Sequence, residues 1–404
     1  MLKFNFKKYI IMATVIIILF NSISHGQNEL MIGTESPLQD VFEKLQQDFG
    51  LKSKSAILME CRTGQILFEN NSHERLAPAS ITKIMPMLLF MEAIDNGRIK
   101  YDDVVVVSDY AQSIGGSQIW LEPGEHMTVR DLMKAVVINS ANDATVAIAE
   151  HIAGSEEIFV RLMNERAKQL GMVDTNYVNC CGLDADDHYT SAFDVAIVSK
   201  ELMNKHPQIT QFTTIWMDSL RNGEFGLANT NKLIRHYKGA NGIKTGSTGK
   251  AGFCLSASAV KDNLQLISVV MSAPNSKTRF LEASKLLNYG FANYQSTPVR
   301  KKGESEGKIQ VIKGMTFWVD AIYPDDVNIL IKKGEKRDVK CEVLLDKNIV
   351  APVKAGQKLG SVIFKIEGSE IGRTDVVAGK SVDKATLPKL FKLIFTCWVK
   401  NNAG

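Results

Sequence analysis

The sequence predicts an α+β protein in which an antiparallel sheet is flanked by helices, followed by a small all-β domain and a terminal amphipathic helix. Three observations carry this reading. An early hairpin and two later apolar runs enclose a helical block; short β-branched runs take over after Thr297-Pro298; and a helical period returns only after Ser381. At 404 residues, with 45% hydrophobic and 23% charged residues, the chain is long enough for more than one ordinary globular core.

The first segment carries Lys3, Lys7 and Lys8, an apolar stretch from Ile10 to Phe20, and small or polar residues from Asn21 to Gln27. That stretch is too short to span a bilayer comfortably, so residues 1–26 read as a cleaved secretory signal peptide, with an uncleaved anchor as the alternative. Either way the rest is expected to be exported. Lys54 to Glu60 and Gln65 to Glu69 read as strands turning at Arg62-Thr63-Gly64. A helix is expected from just before Ser80 to Gly97, with a kink at Pro86, because proline removes the bond to the Thr82 carbonyl. Thr128 and Asp131 form a capping pair ahead of the stripe Leu132, Val136, Val137. Further helices are expected from Asn142 to His151, stopped by Gly154, then over Glu156 to Leu170 and Ala192 to Asn204, around a loop from Asn179 to Asp187. Gly252 to Val260 and Leu264 to Ser272 read as strands, and Thr278 to Tyr294 as a closing helix.

After residue 297 short runs at strand spacing (Lys308 to Ile312, Thr316 to Ile322, Val327 to Ile331, Val339 to Leu345, Lys358 to Ile366) define the β domain, 298–385. In 386–404, Leu387, Leu390, Phe391, Ile394, Phe395 and Trp398 recur at helical spacing among lysines. A basic helix with Trp and Phe on its apolar face suits a membrane surface; packing on its own β domain is the alternative. From Pro298 onward there are 20 Lys+Arg against 13 Asp+Glu, hence +7, while the remainder carries −3 of the total +4. That asymmetry favours an anionic membrane surface. A net charge of +4, with no basic run interleaved with aromatics, excludes nucleic acid as a partner. Of the six cysteines, Cys180 and Cys181 are adjacent and Cys61, Cys254, Cys341 and Cys397 are scattered, so mostly free, buried thiols are expected, with no metal site and no cofactor.

Three short motifs follow one another: Ser80-Ile-Thr-Lys83, Ser140-Ala-Asn142 and Lys244-Thr-Gly246. The first is not selective alone. Ser247/Lys250, Ser258/Lys261, Ser305/Lys308 and Ser381/Lys384 also fit S-x-x-K, where roughly one or two matches are expected by chance. Context selects Ser80/Lys83, because an apolar run from Ile84 to Met91 follows and a helix would put both side chains on one face. Alone, Ser140 would read as a helix cap and Lys244 as a solvated strand lysine; their joint order argues otherwise. His188 and Tyr189 beside Asp187 read as loop structure.

The ordered set is that of penicillin-binding proteins and class A β-lactamases. With "GSQIWLEPGE" (Gly116 to Glu125), "SANDATVAIAEHIAG" (Ser140 to Gly154), "GLDADDHYTSAFDVA" (Gly182 to Ala196) and "GIKTGSTGKAGFC" (Gly242 to Cys254), the chain resembles the low-molecular-mass penicillin-binding proteins, the D-alanyl-D-alanine carboxypeptidases. The resemblance runs from about Ser36 to the end. It implies a β-lactamase/transpeptidase-like catalytic domain over 36–297, a peptidoglycan stem peptide ending in D-Ala-D-Ala as substrate, and β-lactams as covalent inhibitors.

A serine hydroxyl needs a base to become a nucleophile, and Lys83 is the nearest by spacing. A lysine with a pKa of about 10.4 serves only if its environment lowers that value, through burial and a second cation, for which Lys244 is the candidate. On an edge strand, Lys244-Thr-Gly246 could pair with an extended peptide, Lys244 and Thr245 facing its carboxylate and Gly246 admitting its backbone. The resemblance implies that Ser140 relays a proton, that the Asn142 amide binds the peptide, that the N–H groups of Ser80 and Ser247 form the oxyanion hole, and that Arg279 helps bind the carboxylate; a helix-surface role for Arg279 remains open. A class A β-lactamase is the enzyme alternative, although the E-x-x-L-N element of that class is absent. A non-catalytic cell-wall-binding or β-lactam-sensing protein is the other.

Overall fold

A computed structural model describes residues 49–334, 338–386 and 388. The expected signal peptide and all but the first residues of the C-terminal helix lie outside the described residues. No helix among the described residues is long and apolar enough to cross a membrane.

The hairpin forms β1 (Ser55–Glu60) and β2 (Ile66–Asn70). A 3-10 turn (Ala79–Lys83) leads into α1 (Ile84–Asp95); α2 (Val129–Lys134), α3 (Asn142–Ala153), α4 (Glu156–Gln169) and α5 (Ala192–Lys205) complete the helical block. Local chemistry sets their ends. Thr128 accepts from the Asp131 N–H, as its capping pair requires, Ser155 and Ser191 cap α4 and α5, and Gly154 closes α3 with φ 84°.

Three strands follow, β3 (Ala240–Thr248), β4 (Gly252–Lys261) and β5 (Leu264–Ala273), and then α6 (Ser276–Asn293). The sheet is antiparallel with order β2-β1-β5-β4-β3, so the chain's first and last strands of this domain meet at its centre and β3 is an edge. Alternation divides the sheet's residues. Ile57, Met59, Ile267, Val269 and Met271 join the core of the helical block. Leu58 and Leu266 face α6, where a Cβ on Gly290 would lie 2.4 Å from a Leu266 methyl.

The second half is all β, with three strands beyond those the sequence indicates, at Tyr294–Arg300, Asn348–Val350 and Ser369–Ala378. β6 (Tyr294–Arg300) begins directly after α6 and runs across Thr297-Pro298 to pair with β9 (Val327–Lys332). β7 (Ser305–Ile312), β8 (Trp318–Ile322), β10 (Lys340–Leu345), β11 (Asn348–Val350), β12 (Lys358–Ile366) and β13 (Ser369–Ala378) form a six-stranded sheet of order β10-β12-β13-β8-β7-β11. Val319, Tyr323, Leu359, Val362, Phe364 and Val376 form its core.

Candidate active site

The site is assembled on the 3-10 turn. Such a turn eclipses residues i and i+3, and Ser80 Oγ lies 3.3 Å from Lys83 Nζ. Ala79, immediately before, holds φ 50°, a left-handed conformation unusual for alanine that sets the entry to the turn. The expected kink at Pro86 is replaced by a change of helix type: the α-helix proper starts at Ile84, which leaves Pro86 in its first turn, where a missing N–H is tolerated.

Lys83 is fully buried, yet its amine is fully addressed. It donates to Asn142 Oδ1 at 2.5 Å and to the Cys181 carbonyl at 2.7 Å. Burial holds its pKa below the ordinary 10.5, against a partial opposing pull from the Cys181, Cys180, Asp143 and Glu156 groups. Lys244, 1% exposed, is pushed well below that value by burial first, and then by the charges of Lys83 and Arg279. Two amines therefore share a dry site that disfavours charging both.

Ser140 follows a π-helical turn (Ala135–Asn139), a widening that marks functional positions in helices, and itself sits at φ 65°. Its hydroxyl is buried and has no partner among the described residues. Asn142 opens α3. Its Nδ2 donates to the Gly115 carbonyl at 2.6 Å and its backbone N–H to the Ser117 carbonyl, while the neighbouring Asp143 carboxylate accepts from the Ile119 and Leu121 N–H groups. Residues 115–121 are thereby tied to the amide that addresses Lys83.

On the opposite side runs the free edge of the sheet. Among the described residues β3 pairs with β4 alone, with Lys244 opposite Ser256 and Gly246 opposite Cys254. A Cβ on Gly246 would lie 2.8 Å from the backbone nitrogens of both Ser80 and Ile81. The close approach that glycine permits here is that of the 3-10 turn, which brings the Ser80 N–H beside the strand. The Thr245 hydroxyl donates to Thr230 at 2.7 Å, and Ser247 is exposed. Arg279, on α6, is no surface residue: it is 7% exposed and its Nη1 donates to the Gly246 carbonyl at 2.9 Å and to that of Cys254 at 3.3 Å.

All three motifs thus converge on one buried cluster beside an open strand edge, and both halves of the chain match known families. The profile of the D-alanyl-D-alanine carboxypeptidase family matches residues 42–275, and that of the penicillin-binding protein 5 C-terminal domain matches 294–384. The D-alanyl-D-alanine carboxypeptidase DacF of Bacillus subtilis is 45% identical over 361 residues, 88% of this chain and 92% of the relative. The chain belongs to the D-alanyl-D-alanine carboxypeptidase family. Penicillin-binding protein 5 from Haemophilus influenzae superposes with a TM-score of 0.69 at 33% identity, covering 83% of this chain and 98% of that one. Penicillin-binding protein D2 from Listeria monocytogenes, solved in an ampicillin-bound form, covers 60% of this chain and 99% of its own at 29% identity, with a TM-score of 0.56. The activity of this family is that of a serine-type hydrolase.

In this carboxypeptidase, sequence reasoning missed the loop that backs Lys83. Gly182 has φ 83°, and a Cβ there would fall 1.8 Å from the Ala79 carbonyl oxygen, so only glycine lets the loop lie against the 3-10 turn. His188 is buried as loop structure, as expected, but it also reaches the motif. Its Nδ1 accepts the Val178 N–H, which leaves Nε2 to donate to the Thr82 hydroxyl at 2.9 Å. Burial lowers its pKa to about 4. The adjacency of Cys181 to the G-L-D stretch was visible in sequence; that its carbonyl would accept from Lys83 was not. The described free cysteines are Cys61, Cys180, Cys181 and Cys254, all buried, and the half-buried Cys341.

Proposed function

We propose that Ser80 is the nucleophile of this D-Ala-D-Ala carboxypeptidase and Lys83, as a neutral amine, its general base. One observation carries the reading: a fully buried amine with a lowered pKa lies 3.3 Å from a serine hydroxyl. The Ser80 proton passes to Lys83 Nζ as Oγ attacks the carbonyl carbon of the penultimate D-alanine. The Ser80 and Ser247 N–H groups hold the oxyanion. Lys83 returns that proton through the Ser140 hydroxyl, which lacks a partner among the described residues, to the departing D-alanine nitrogen; neutral again, it then activates a water in the same way on the acyl-Ser80 ester.

Substrate binding falls to the strand edge. A stem peptide adds alongside β3 in the manner of a further strand, its backbone held by the Asn142 amide and by β3 around Gly246, and its terminal carboxylate drawn to Lys244, Thr245 and Arg279. β-Lactams acylate the same serine. No cofactor enters this scheme. The division into a catalytic domain over 36–297 and a β domain over 298–385, export to the outer face of the membrane, and surface attachment through 386–404 complete the proposal.

Fluorescent penicillin should label the wild type and leave Ser80→Ala unlabelled, and the wild type should release free D-alanine from a diacyl-D-Ala-D-Ala peptide. Labelling of Ser80→Ala would refute the assignment of the nucleophile. Rapid penicillin turnover without D-alanine release would favour a β-lactamase.

A further inference from the structure

Behind Lys83 lies a pair of thiols that the reaction does not use. Cys180 and Cys181 are 0% and 2% exposed, and their sulfurs are 3.7 Å apart. Cys181 touches the Lys83 environment twice: its carbonyl accepts from Lys83 Nζ at 2.7 Å, and its thiol donates to the backbone carbonyl of Asn142, whose side chain is the other acceptor of that amine. A carboxylate oxygen of Glu156 lies within 4.8 Å of both sulfurs. The buried thiols of Cys61 and Cys254 instead contact Asn204 and the Ala251 carbonyl.

We propose that Cys180 and Cys181 form a reversible oxidation site, whose closure into a vicinal disulfide by a peroxide displaces the groups that orient Lys83 and switches acylation off. A disulfide bond is about 2.05 Å long and ordinarily joins Cα atoms at least about 4.4 Å apart, whereas adjacent Cα atoms are about 3.8 Å apart. The sulfurs must close by more than an ångström, and the backbone between them must twist. The Cα of Cys181 moves with it, and so does the carbonyl attached to that Cα; the thiol contact to Asn142 is lost at the same time. The chemistry balances. The thiolate of one cysteine attacks the O–O bond of hydrogen peroxide, becoming a sulfenic acid and releasing hydroxide, which the proton lost from that thiol to Glu156 neutralises. The second sulfur then displaces the sulfenic oxygen as water, so that two thiols and one peroxide give one disulfide and two waters. Burial of both thiols raises the Cys180 pKa, slows the reaction and favours a small peroxide over a bulky disulfide as the oxidant.

This inference rests on Lys83 serving Ser80, and its test separates the two. The full chain is treated with hydrogen peroxide, and the peptide containing residues 180–181 is mapped by mass under non-reducing conditions while penicillin acylation is timed. The expected result is a loss of two hydrogens on that peptide, with acylation slowed on the order of 100-fold and restored by dithiothreitol. Cys180→Ala should acylate like the untreated wild type and resist peroxide. Absence of the disulfide, a disulfide without slower acylation, or an equal peroxide loss in Cys180→Ala would each overturn the proposal. Should Cys180→Ala fail to fold, the mapping and dithiothreitol arms on the wild type decide alone. Failure of the untreated, reduced wild type to label would count against the assignment of Ser80, while the mapping arm would still decide whether the disulfide forms.

Discussion

Ser80/Lys83 and Ser258/Lys261 have the same S-x-x-K spacing and opposite fates. In the 3-10 turn, i and i+3 are eclipsed, the hydroxyl and amine stand 3.3 Å apart, and the amine is buried. On β4, residues three apart point to opposite faces: Ser258 is buried and accepts from Gln265 at 3.0 Å, while Lys261 ends the strand in solvent. Spacing alone therefore carries no chemistry. What brings a serine and a lysine into hydrogen-bonding contact is a helical turn that juxtaposes them, and a core strips water from the amine.

The comparison can be broken at several points. The largest effect belongs to Ser80→Ala, expected to lower D-alanine release by on the order of 10⁴-fold or more, against no more than a few-fold change for Ser258→Ala. Lys83→Met should cost about 10²- to 10⁴-fold in acylation while leaving the fold cooperative by thermal melting, and Lys261→Met should be silent. In the wild type, acylation should rise with pH as Lys83 loses its proton, with the midpoint below the ordinary 10.5 because its pKa is lowered. A midpoint at or above 10.5 in the pH profile would contradict a buried neutral base.

Gly246→Ala tests the neighbouring strand. The new Cβ would meet the backbone nitrogens of Ser80 and Ile81 at 2.8 Å, so the turn must shift and the rate should fall on the order of 100-fold. Gly249→Ala, at an open position three residues on, should change little. The smallest effect is one of stability. His188 titrates at about 4 in the fold against 6.5 ordinarily, so the folded state disfavours its protonation. The stability tied to the neutral ring is complete above pH 6.5 and is lost as pH falls through about 4, about 3 kcal/mol in denaturant melts. His188→Gln should flatten that slope.

Several features were legible because they are local. The caps at Thr128 and Gly154, the hairpin around Arg62-Thr63-Gly64 and the strands after Lys244 follow from turn chemistry and periodicity. β13 was not, since Arg373, Thr374 and Asp375 interrupt its apolar pattern; its pairing with β12 and β8 decides it. The π turn before Ser140 carries no sequence signal that distinguishes it from an α-helix.

By itself, the sequence determined the order of the motifs, the α+β architecture and the chemical nature of the candidate site residues, because residue type and short-range period are written directly into the chain. Only the tertiary structure decided that Lys83 meets an amide 59 residues away and a carbonyl 98 residues away, that β3 is an edge among the described strands, and that two lysines are buried within reach of each other's charge. The physical reason is that desolvation and Coulomb interaction act over a few ångströms in space, whatever the distance along the chain.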